Sequence, residues 1–136
     1  MTDAAKLAPA LGLSEAEVVA ATVWGEARGE SVLGRIGVAH VIRNRMIARR
    51  QTAGQVCLAP LQFSCWWRVG GGQNHTQMLR LMEHFSGFAD PVWRECLWVA
   101  RGVLSGECLD VTKGADHYVT TVLLNSPARP GCLSRP

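Results

Sequence analysis

SEAEVVAATVWGEARGESVLGRIGVAHVIRNRMIAR, residues 14–49, reads as two helices joined by a short corner. Ser14 followed three positions later by Glu17 is a capping box, in which hydroxyl and carboxylate satisfy each other's backbone N–H groups and start a helix. Gly29 marks its stop, so the first helix covers residues 14–28. The second begins near Ser31 or Val32 and runs to about Arg49. Its Val32, Ile36, Val38, Ala39, Val41, Ile42, Met46 and Ile47 cover most sides, which places it in the core.

One residue of the first helix is out of keeping with its face. At about 100° per residue, Val19, Val23 and Glu26 fall within an arc of roughly 60°, with Ala16 and Ala27 flanking it. Glu26 therefore stands on the stripe that faces the core, in the last turn. A carboxyl held against apolar neighbours resists ionisation, so its pKa rises. The negative end of the helix dipole pushes the same way. Such a carboxyl suits a general acid that protonates a glycosidic oxygen near neutral pH. Glu26 can instead pair with Arg28 or Arg43 and simply join two helices, and periodicity weighs the two readings equally. Glu30 would share its face if the helix continued. Gly29 argues against continuation, and Glu30 can equally pair with Arg35 or cap the next helix.

Outward from this pair, residues 51–73 are rich in Gly, Cys, Trp and Gln and read as loop, with a short extended piece around Gln62–Trp67. Asn74 caps a helix through about Phe85, and Pro91 opens another that runs to about Leu104 before Gly106. The tail from Glu107 contains KGADHYVTTVLLNSPARPG, with short β-like and turn segments. No repeat, low-complexity run or linker interrupts the chain. Residues 1–136 are expected to form a single domain, mainly α with a small β/loop region.

Composition narrows the function classes. Of 136 residues, 48% are hydrophobic and 18% charged, enough for an ordinary core. The net charge of +3 suits contact with an acidic polymer but is too small to point to nucleic acid. Arg35, Arg43, Arg45, Arg49 and Arg50 read as a solvated helix face with cations near a C-terminus. The N-terminal MTDAAKLAPALGLSEAE lacks the apolar run of a secretory signal, and no segment reaches the roughly 20 apolar residues of a membrane span. The expected product is cytoplasmic at synthesis and not stably membrane-inserted. Five cysteines leave at least one thiol unpaired within a monomer and leave the pairing itself open. No histidine pair has zinc spacing, so neither a metal nor a cofactor is expected.

Residues 23–45, VWGEARGESVLGRIGVAHVIRNR, resemble the SleB/CwlJ-type cell-wall hydrolases known from spore-cortex-lytic enzymes and phage lysins. The likeness rests on the run Gly25-Glu26-Ala27-Arg28-Gly29-Glu30 and on the valine-rich helix ending in Asn44-Arg45. Gln62-Phe63-Ser64 and Gly114-Ala115 followed by His117-Tyr118 are similar to two later, shorter family segments. Together they cover about residues 14–120. The resemblance implies a lysozyme-like or lytic-transglycosylase-like helical fold. It implies cleavage of the β-1,4 bond after N-acetylmuramic acid in peptidoglycan, with Glu26 as catalytic residue. Lacking a secretion signal and a second domain, the chain is expected to be a monomeric phage or prophage lysin rather than a spore enzyme, acting on the wall after release.

Ordinary glycosidases need two carboxylates. Here only Glu26 is clearly placed, with Glu30, Asp110 and Asp116 as candidate partners, Glu30 and Asp116 foremost. A lytic transglycosylase needs one, because the sugar's own 6-hydroxyl closes an anhydro ring, and the single acid leans that way. The candidate glycan-binding set is Gln62, Ser64, Trp66, Trp67, His117 and Tyr118. Phe63, Trp93 and Trp98 read as packing, His40 as a core histidine, and His75 and His84 as surface residues. The rival readings are a muramidase- or chitinase-type hydrolase and a wall-binding protein without activity. A Cys65–His117 peptidase pair is a distant third.

Overall fold

Capping chemistry sets the helix boundaries in the computed structural model, which describes residues 4–60, 62–67, 72–84, 89–108 and 110. Helix α1 covers Ala4–Ala10, α2 Glu15–Ala27, α3 Val32–Arg49, α4 Ala53–Cys57, α5 Gly72–Glu83 and α6 Pro91–Ser105. The expected capping box is present: Glu17 N–H donates to Ser14 Oγ at 3.2 Å, and Ser14 N–H to Glu17 Oε1 at 2.8 Å. Ser31 Oγ caps α3 by accepting from Gly34 N–H at 3.2 Å. Asp90 caps α6, where Pro91 occupies the first turn, and Gly106 ends it with φ +85°. The fold is mainly helical, without a strand among the described residues. It is compatible with a lysozyme-like arrangement.

Four expectations need correction. The 51–73 loop contains α4, started by a second capping box of Thr52 and Gln55. The extended piece around Gln62–Trp67 is instead a 3-10 turn over Ser64–Trp66, and α5 starts at Gly72 rather than Asn74. His75 is buried, not on the surface, and its Nε2 accepts from Ala4 N–H at 3.3 Å, pinning α1 to α5. The expected β-like tail lies outside the described residues.

Helix α2 is the centre of the packing and lies against α3, α4, α5 and α6. Every residue from Val18 to Gly25 is buried, as is Ala27, the signature of a helix with neighbours on all sides. Thr22 shows how a polar group survives there. Its hydroxyl donates to Val18 O at 2.9 Å and accepts from Trp66 Nε1 at 3.0 Å. Thr22→Val keeps the volume but strands the buried indole N–H, which should cost about 1–3 kcal/mol. A lower urea midpoint with an unchanged slope checks this; an unmoved midpoint would show that Trp66 finds another acceptor.

Two arginines of the expected solvated face are in fact buried. Arg35 pairs with Glu95 of α6, and Arg45 lies 5.2 Å over the Phe63 ring. Arg49 and Arg50 do remain exposed. Among the described residues, no helix is long and apolar enough to cross a membrane.

Candidate active site

Glu26 stands in the last turn of α2, half-buried, against the 3-10 turn that carries Ser64 and Cys65. Burial raises its carboxyl pKa above the ordinary 4.5. The backbone N–H groups of Cys65 and Ser64, the Cys65 thiol and the Arg28 charge all favour the carboxylate, and desolvation outweighs them. The group is therefore an acid that gives up its proton reluctantly, beside donors ready to receive the resulting anion. That combination is what proton donation followed by proton recovery requires.

Gly25 lets the turn come this close. A Cβ at Gly25 would stand 2.6 Å from Cys65 Cβ, 2.7 Å from Cys65 Sγ and 2.8 Å from Met78 Sδ. Cys65 and Met78 are both fully buried. Two elements, the 3-10 turn and α5, thus rest on the bare backbone one residue before Glu26. Burial raises the thiol pKa values of Cys57, Cys65 and Cys96, Cys57 to about 12. These three are free cysteines, whereas Cys108 is disulfide-bonded.

The end of α2 is closed by two guanidinium groups. Arg28 Nη1 donates to Trp24 O at 3.2 Å, Gly25 O at 3.1 Å and Asn74 Oδ1 at 3.0 Å. Arg35 donates through Nε to Ala27 O at 3.2 Å and through Nη2 to Arg28 O at 2.8 Å. The expected push from the helix dipole is consequently offset, because cations cover the carbonyls that carry its negative end. The raised pKa comes from burial instead. The alternative in which Glu26 bonds an arginine is not realised either: Arg28 is turned onto backbone carbonyls and acts on Glu26 only through its field. Nor does Arg35 pair with Glu30; it pairs with Glu95.

Of the candidate glycan-binding residues among those described, Ser64 is the one brought directly to Glu26, through its backbone N–H rather than its hydroxyl. Gln62 is exposed, with Oε1 3.5 Å from Arg45 Nη1. Trp66 is only 4% exposed and spends its N–H on Thr22. That burial makes it a packing residue, a correction to its place in the glycan-binding set. Trp67 is half-buried, and its indole nitrogen has no partner among the described residues. Phe63 and Trp93 are core residues, His40 is fully buried, and His84 is exposed. Asp116, His117 and Tyr118 lie outside the described residues.

The other carboxylates near the helix core are largely occupied. Asp90 accepts from Trp24 Nε1 at 3.0 Å and from Val92 N–H at 2.9 Å. Asp110 accepts from Asn44 at 3.1 Å and lies 4.0 Å from His40. Glu30 stands half-buried at the corner between α2 and α3. An apolar cleft lined by Ala8, Leu13, Val18 and Leu58 opens at the other end of α2. It is eight residues, about 12 Å of helix rise, from Glu26, and so plays no part in this site. Among the described residues, no cluster of His, Cys, Asp or Glu could hold a metal ion.

The residues that sequence reasoning missed are the supporting ones: Cys65 as a donor, Asn74 as the anchor of Arg28, and Glu95 as the partner of Arg35. Their partners are distant in sequence, and no local pattern announces them. Gly25 did carry a signal, since glycine inside a helix costs about 1 kcal/mol relative to alanine and calls for a reason. Residues 29–129 match the family model described as Cell Wall Hydrolase. That match begins three residues after Glu26. No curated protein and no solved structure matches the chain.

Proposed function

The chain belongs to the Cell Wall Hydrolase family, and from that premise we propose that it is a lytic transglycosylase with Glu26 as its single acid and base. As a member of that family it is an enzyme acting on peptidoglycan. The bond we assign to it is the β-1,4 link between N-acetylmuramic acid and N-acetylglucosamine. The observation that carries the proposal is the half-buried Glu26 carboxyl, raised in pKa and faced by the N–H groups of Ser64 and Cys65.

Protonated Glu26 gives its proton to the glycosidic oxygen as the bond from muramic C1 breaks, and positive charge develops on the ring. The carboxylate left behind is received by the two N–H groups and the Cys65 thiol, already in place before the reaction. It then takes the proton of the muramic 6-hydroxyl as that oxygen closes onto C1. The acid is restored, the product is an anhydro sugar, and no water is consumed. The setting we propose is a phage or prophage endolysin acting on the wall after release, in line with the resemblance to phage lysins.

Mass analysis of soluble products from purified wall tests the chemistry. Anhydro ends are expected; products carrying one added water at every new end would replace the transglycosylase with a muramidase-type hydrolase. Glu30 or Asp116 would then be the second carboxylate to examine. The pH profile supplies a second test. An acid with a raised pKa stays protonated to higher pH, so the alkaline limb of kcat/KM should lie above the ordinary carboxyl value of 4.5. An alkaline limb at or below that value would remove Glu26 from the acid role.

A further inference from the structure

Arg28 is better prepared than helix capping requires. A single nitrogen, Nη1, makes all three of its side-chain hydrogen bonds, to Trp24 O, Gly25 O and Asn74. Nε and Nη2 have no acceptor among the described residues, and the side chain is half-buried. Its guanidinium carbon lies 4.5 Å from the centroid of the Trp24 ring. That ring is itself buried, 4% exposed, and its Nε1 donates to Asp90 at 3.0 Å. One end of the fork is thus anchored and its carbon is held over the Trp24 ring, while its other edge is left unused two residues from Glu26. Arg35, the other guanidinium at this helix end, has its carboxylate in Glu95. Arg28 has no counterpart among the described residues.

A fixed, partly desolvated guanidinium edge matches a carboxylate, which it can hold through two parallel N–H···O bonds. Little rotamer entropy remains to be lost on binding. Taking the wall-glycan reading of the site as given, we propose that Arg28 binds a carboxylate carried on the lactyl arm of N-acetylmuramic acid. Two sources share that chemistry: the free lactyl acid of a stripped strand and a carboxylate of the attached peptide. A strand of N-acetylglucosamine alone offers neither. Arg28 would accordingly distinguish muramic acid from glucosamine on one side of the scissile bond.

Binding tests this without turnover, in the Glu26→Gln protein, by calorimetry with three soluble ligands. These are a peptide-bearing glycan oligomer, the same oligomer stripped of peptide, and an N-acetylglucosamine tetramer. Adding Arg28→Gln should weaken binding of a carboxylate-bearing ligand by roughly 10- to 100-fold, the usual worth of hydrogen bonds to a charged group. Binding of the tetramer should stay within about twofold by the same reasoning. Loss confined to the peptide-bearing oligomer assigns the peptide carboxylate, and loss confined to the stripped one assigns the lactyl acid. Arg28→Lys keeps the charge and a donor for the helix end but not the fork, so it should show a smaller loss on the same ligands. It also carries the test if Arg28→Gln fails to fold. Equal loss on all three ligands, or no loss on any, overturns the proposal. If the parent protein binds the tetramer but neither muramic oligomer, the wall-glycan reading falls as well.

Discussion

Glu26→Gln should lower wall lysis by roughly 10²- to 10⁴-fold, the range that a positioned general acid contributes, while the protein stays folded and still binds glycan. Glutamine keeps the shape and removes the proton. It can meet the N–H groups of Ser64 and Cys65 through its amide oxygen, so the 3-10 turn has no reason to move. Stability should shift in the opposite direction to activity. Because burial raises the folded-state pKa of Glu26, its contribution is fully present below the unfolded value near 4.5 and is lost as pH rises through the folded value. Near neutral pH the wild-type protein thus holds a carboxyl whose ionisation is opposed by burial, a penalty that the neutral glutamine does not carry. The variant's melting temperature at pH 7 should equal or exceed the wild type's, with the difference closing at low pH. Lysis by Glu26→Gln at the wild-type rate would retire the proposed acid, and a collapse in its melting temperature would give Glu26 a structural role instead.

The sequence made the two central helices legible because their boundaries rest on local chemistry. Ser14, Glu17, Ser31, Pro91 and Gly106 act within a few residues of themselves, and each does in the structure what its spacing implies. Glu26 stands out in the sequence for a narrower reason than its setting in the structure. A core-facing stripe suggested it, whereas α2 is buried on every side from Val18 to Gly25. Beyond its first turn the helix has no solvent face until its last turn, where Glu26 lies. The error over the helix dipole has the same origin. Arg28 sits in the motif, and Arg35 seven residues later, but that both fold back onto the carbonyls of Trp24, Gly25, Ala27 and Arg28 depends on the corner between α2 and α3. Trp66 reads as glycan-binding in the sequence because an aromatic ring in a loop resembles a sugar platform. Only Thr22, forty-four positions away, reveals that its N–H is spent in the core.

Gly25→Ala should be the most damaging single methyl group near the site. In an unobstructed helix this change stabilises by about 0.8–1 kcal/mol. Here the new Cβ would meet Cys65 Cβ at 2.6 Å, Cys65 Sγ at 2.7 Å and Met78 Sδ at 2.8 Å. Met78 can swing its flexible end aside, but Cys65 Cβ is fixed to the 3-10 turn and can yield only if the turn itself moves. Overpacking of a tight core typically costs 1–3 kcal/mol, so after the helix gain a net loss of about 1 kcal/mol is expected from the urea midpoint. Activity should fall further than stability accounts for, by about 10- to 100-fold, because a shift near 1 Å separates the Ser64 and Cys65 donors from Glu26. Adding Cys65→Gly removes both Cys65 atoms from the clash, so the double variant should recover stability relative to the sum of the two single changes. It should recover less activity, since the thiol donor is gone while the N–H groups return. If Gly25→Ala is instead as stable and active as wild type, the turn tolerates displacement, and its N–H groups are not what holds the Glu26 anion.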